Sequence, residues 1–125
     1  MTDVAIDVDS VLIWGLKAAT GVEVYPNKPD EGATAPYVSY KRISDHIQDR
    51  VQGGGGSLHL GRFQITHVGS SFAGLRTLVN SVQSYLEGNN TNFSASLSAD
   101  VHLEDKEAED IYTAMKDYFI QWKQS

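Results

Sequence analysis

Two aspartates stand close together near the start of the chain, in Val4-Ala5-Ile6-Asp7-Val8-Asp9-Ser10-Val11-Leu12. An apolar run followed by Asp-x-Asp is the arrangement that phosphoryl transfer uses when one carboxylate attacks and the second moves the proton beside Mg²⁺. That chemistry also needs a following lysine and a distant acidic pair on a larger parallel sheet. No βαβ repeat follows here, and Asp7 and Asp9 fall inside a helical pattern, where acids near the N-terminus are favoured by the helix dipole. The histidines are His46, His59, His67 and His102. His59 and His67 share a strand parity, but ~26 Å of extended chain separates them, too far to share one metal ion. Ser44-Asp45-His46 are neighbours in sequence and form no triad. The run Gly53, Gly54, Gly55, Gly56, Ser57 is neither a nucleophile elbow nor a phosphate loop. The residues therefore point to a protein that is not an enzyme and implies no cofactor and no metal.

Helical spacing of Val8, Val11, Leu12, Gly15, Leu16 and Ala19 predicts a first helix, stopped by Gly21. A short extended piece over residues 22–25 ends at Pro26, and the proline-marked stretch 27–36 reads as a loop. Residues 37–43 read as a strand, with the polar residues 44–52 as its continuation outward. The four glycines 53–56 read as a flexible hairpin tip or a poorly ordered loop. A second strand, 58–68, puts Phe63, Ile65 and His67 on one face and Arg62, Gln64 and Thr66 on the other, with His67 at a core edge or interface.

A helix over residues 70–87 follows, capped by Ser70 or Ser71, with Phe72, Leu75, Leu78, Val79, Val82 and Leu86 as its apolar stripe. The glycosylation-like triplets at Asn89 and Asn92 read as turn chemistry. Alternation then predicts a strand over 93–103, an acidic connector over 104–110 with a turn of helix, and a last strand over 112–123. On that strand Tyr112, Ala114, Tyr118, Ile120 and Trp122 share one parity. The expected fold is α+β, with residues 1–125 forming one domain. It has one mainly antiparallel β-sheet of four to five strands and two α-helices packed on it.

The 125 residues weigh 13.7 kDa, and 41% are hydrophobic and 21% charged, which are globular values. No apolar run approaches membrane-spanning length. The first ten residues lack the basic start of a secretory signal, and there are no cysteines, so folding in a cytosol is expected. The net charge is −6. Both ends are acidic and the middle is slightly basic, which disfavours tight binding to phosphate backbones and suits contacts between copies or with neighbours. Tyr25, Tyr37, Tyr40, Tyr118, Trp122 and Trp14 exceed what two short helices hide easily, so some are candidate interface anchors.

The order of elements carries a resemblance. An N-terminal helix leads to Val24-Tyr25-Pro26, then to Ala35-Pro36-Tyr37-Val38-Ser39-Tyr40-Lys41-Arg42-Ile43. A glycine-bearing excursion precedes Arg62-Phe63-Gln64-Ile65-Thr66-His67-Val68 and a helix starting Ser70-Ser71-Phe72-Ala73-Gly74-Leu75-Arg76. The closing piece is Asp117-Tyr118-Phe119-Ile120-Gln121-Trp122. Over nearly its whole length this resembles the tail-completion or tail-terminator proteins of long-tailed, non-contractile phages and prophages. The glycine run and the acidic connector depart from that pattern.

The resemblance implies a virion tail component, assembled in the host bacterial cytoplasm, that forms a hexameric ring at the head-proximal end of the tail tube. Its partners would be copies of itself, the tail tube protein and the head-tail connector protein. DNA would only pass through the lumen without specific binding, and no membrane is involved. The candidate contacts are Arg42, His46, Arg50, Gly53, Gly54, Gly55 and Gly56, which run beyond the regular strand pattern into the loop. A head-side connector or stopper, and a small metal-dependent phosphatase-like enzyme using Asp7 and Asp9, are the alternatives.

Overall fold

The computed structural model describes residues 7–29, 31–50, 57–88, 93–99, 105–108 and 111–124. Helix α1 spans Val8–Thr20 and buries Val8, Leu12 and Leu16, three residues spaced by one turn each. It ends where Gly21 takes a positive φ of 74° and its N–H donates to Lys17 O at 2.8 Å, a geometry that a side chain would disfavour. Strand β1 (Glu23–Pro26) then pairs in parallel with β2 (Tyr37–Arg50), from Glu23 opposite Tyr37 to Pro26 opposite Tyr40.

The remaining neighbours are antiparallel. Strand β3 (Ser57–Gly69) lies between β2 and β6 (Ile111–Gln124), and β4 (Phe93–Ala99) pairs with β6 on its far side. The sheet order is thus β1-β2-β3-β6-β4. The fold is α+β with a mainly antiparallel sheet and two helices, as the patterning implies.

One element differs from expectation. Asp105–Ala108, within the stretch read as an acidic connector with a turn of helix, is strand β5, paired with the start of β6. Cross-strand hydrogen bonding to Ile111–Thr113 decides the backbone there, and local charge does not reveal it. β4 ends at Ala99, whereas alternation suggested continuation to residue 103; residues 100–104 lie outside the described residues.

Helix α2 (Phe72–Gly88) starts as expected from its cap: Ser71 Oγ accepts the Gly74 N–H at 3.0 Å, worth about 1 kcal/mol. It buries Leu75, Leu78, Val79, Val82 and Leu86. Phe72, assigned by spacing to the same stripe, is instead 46% exposed. At the first position of the helix it projects past the sheet, edge-on to Tyr112 and with the Arg76 guanidinium 4.8 Å from its ring.

Residues opposite each other across antiparallel strands share a face, so the registers sort the sheet. Arg42, Phe63, Tyr118 and Leu97 form one row; Val38, His67 and Ala114 form another. Both helices cover this face, where Val8, Leu12, Leu16, Leu78, Val82 and Leu86 pack with Phe63, Ile65, Phe93, Tyr118, Ile120 and Trp122. His67, expected at a core edge or interface, is fully buried with Nδ1 2.9 Å from Ala114 O. Tyr40, Tyr118 and Trp122 are likewise core residues, while Trp14 stays 69% exposed.

The helices cross where α1 has no side chain. A Cβ on Gly15 would sit 1.7 Å from Tyr85 Oη and 2.3 Å from Cζ. Gly15→Ala should therefore lower the urea midpoint, because overpacking costs about 1–3 kcal/mol and outweighs the ~1 kcal/mol gain in helix propensity. A variant more stable than wild type would show that the helices do not approach this closely.

Candidate functional site

Arg42, Asp45 and His59 gather at one end of the helix-covered face. A β-bulge is the local cause. Arg42 stands opposite Phe63 and Ser44 opposite Arg62, leaving Ile43 as the extra residue. The insertion reverses the side-chain alternation, so Arg42 and Asp45 share a face and Ile43 is pushed out to 46% exposure.

Arg42 Nη2 donates to Asp9 Oδ2 at 3.1 Å and Nη1 to Asp45 Oδ2 at 3.4 Å. The guanidinium carbon lies 5.3 Å from the Trp122 ring centroid and 5.4 Å from that of Phe63, within cation–π range. Asp45 Oδ1 accepts from His59 Nδ1 at 2.8 Å, and the His59 ring stacks on Trp122 with centroids 5.2 Å apart. The Tyr40 hydroxyl donates to Asp9 Oδ1 at 2.9 Å. Asp9, Arg42, Asp45 and His59 thus form a hydrogen-bonded chain laid over aromatic rings.

Both aspartates of the Asp-x-Asp pair have side-chain partners. Both Asp9 oxygens are committed, one to a phenol and one to a guanidinium. Asp7 accepts from Ser10 Oγ at 2.9 Å. A carboxylate neutralised by arginine is a poor metal ligand, and among the described residues no three His, Asp or Glu side chains cluster around a common point that could hold an ion. The cluster ties the first turn of α1 to β2.

The uncovered sheet face has a different composition. Ile43, Leu60, Arg62, Gln64, Met115 and Phe119 point this way, and Phe119 is 41% exposed. Beneath them Asp117 is only 2% exposed. Arg62 Nε donates to its Oδ2 at 3.0 Å and Arg62 Nη2 binds the same oxygen. Oδ1 has no hydrogen-bond partner among the described residues.

The residues singled out as contacts are thereby placed. Arg42 is engaged inside the chain. His46 is exposed on β2, opposite Leu60. Arg50 is the last residue of β2, its backbone opposite Ser57. Gly53, Gly54, Gly55 and Gly56 lie outside the described residues. The sequence reading missed Asp9 and Asp45 as partners of Arg42, His59 as their end point, and the Arg62–Asp117 pair. A lone aspartate in a strand of aromatics was the available signal for Asp117; its partner depends on register.

Burial, and then the hydrogen bond to Asp9, push the Tyr40 phenol well above its ordinary value. A raised value means that the fold holds the protonated form. This contribution is fully present below the unfolded tyrosine pKa near 10 and is lost as pH rises from there toward the folded value. Tyr40→Phe should cost about 1 kcal/mol at neutral pH and lose less stability than wild type between about pH 7 and 10.5, read by urea unfolding. Equal alkaline losses in both proteins would contradict the buried tie.

No family model matches the chain, and no curated protein matches it. Among solved structures, it is similar to a chain in a structure titled "Virion of native gene transfer agent (GTA) particle". The TM-score is 0.56 and the identity 17%, over 86% of this chain and 84% of that one. The two chains share a fold over nearly their full lengths.

Proposed function

We propose that this chain is a structural component of a phage or phage-like virion. It works as a ring at the head-proximal end of the tail tube, ending tube growth and joining tail to head. The observation that carries the reading is the fold shared with a chain of a gene transfer agent particle across 86% of this chain. The element order that resembles tail-terminator proteins points the same way. So does the chemistry of the charged cluster, which spends its carboxylates on internal ties.

In this reading residues 1–125 act as one unit and are built into the tail after folding in the bacterial cytoplasm. The partners are other copies of the chain, the tail tube protein and the connector under the head. A net charge of −6 lets DNA slide through without being held, since retention needs clustered cations.

Deleting the gene from the bacterium that produces the particles tests this. Electron microscopy should show tails of uncontrolled length and heads without tails, both corrected by restoring the wild-type gene. Normal joined particles in the deletion strain would contradict the assignment.

A further inference from the structure

Among the described residues the sheet has two open edges, and they stand at the same level. β1 accompanies β2 only from Tyr37 to Tyr40, so among the described residues β2 has no strand on its outer side from Lys41 to Arg50. On the opposite flank, among the described residues, β4 pairs only with β6. The registers align these edges across the sheet: Arg42, Phe63, Tyr118 and Leu97 in one row, and Ile47, His59, Trp122 and Phe93 in another.

An exposed edge is a template for strand addition, and natural proteins guard such edges with charge, proline or bulges. β2 carries charges and two register shifts. β4, Phe93-Ser94-Ala95-Ser96-Leu97-Ser98-Ala99, has no charge and no proline, and Ser94 and Ser96 are exposed.

We propose that the outer edge of β4 docks a second copy of this chain, whose β2 adds along it through residues 42–47. Strand direction supports this occupant. Three antiparallel steps lead from β2 to β4, so the two edges run oppositely, and a head-to-tail repeat makes an antiparallel pair at every junction. Pairing β4 with another β4 would stop at two chains and leave every β2 edge bare. Head-to-tail addition satisfies both edges, and it closes into a ring when the rotation per copy permits. β4 brings no charge of its own, so it meets the mixed charges of β2 without like-charge repulsion. The inference rests on the ring reading and names the contact that builds it.

The chain has no cysteine, so engineered pairs report cleanly. Ser96 and Ser44 share one row across the sheet and would face each other across the junction. Oxidised Ser44→Cys/Ser96→Cys protein should give a ladder of cross-linked multimers. An equimolar mixture of the two single variants should stop at dimers, and neither single variant alone should cross-link. Ser94→Lys/Ser96→Lys should keep the wild-type unfolding midpoint within a few degrees and lose assembly at least tenfold in concentration.

Assembly of the lysine variant at wild-type concentration would overturn the proposal, as would a double-cysteine protein that assembles without cross-linking. Efficient dimers from Ser96→Cys alone would show a two-fold β4 contact and also overturn it. Each of these leaves the ring reading standing. Wild-type protein that stays monomeric both in solution and on particles would overturn that reading itself, and this contact with it.

Discussion

Trp122 lies where every layer of this molecule meets. It is fully buried, faces Phe63 edge-on, stacks on His59 and carries the Arg42 guanidinium over its ring. Its ring also occupies the space above Gly61, where a Cβ would come within 3.0 Å of it. Through these contacts one indole fixes β6 against β3, and β3 against β2. Through Arg42 and Asp9 it also fixes the start of α1. Burying a side chain of this size contributes about 2–3 kcal/mol, and the arginine contact adds about 1 kcal/mol. The cluster's larger consequence is geometric: it anchors β2 beyond Tyr40, the last residue that β1 pairs.

Much of this was legible in the amino-acid order. The four-residue spacing of Val8, Leu12 and Leu16, the Ser71 cap, the Gly21 stop and the alternation through Tyr118, Ile120 and Trp122 each follow from local physics. The misses share a cause as well. Whether Asp105–Ala108 is strand depends on a partner, Ile111–Thr113, that composition does not advertise. Asp9 reads as a helix-start acid because its true partners, Tyr40 and Arg42, are more than thirty residues away. The bulge at Ile43 decides which face Asp45 joins, and a one-residue insertion leaves no mark in a polar stretch. Register, in short, was the hidden variable.

The same registers separate the functional surfaces. The helix-covered face spends its polar groups internally: Asp9, Arg42, Asp45 and His59 satisfy one another, and Lys116 reaches Gln83 on α2 at 3.0 Å. The uncovered face keeps Ile43 and Phe119 accessible above the Arg62–Asp117 pair. Among the described residues, the strand edges left without a partner are β2 beyond Tyr40 and the outer side of β4.

Whether the chain works, as proposed, as a closed ring of its own copies is read by native mass spectrometry of the protein released gently from particles. One dominant species at about six times 13.7 kDa is expected. A population made only of single chains would refute the ring.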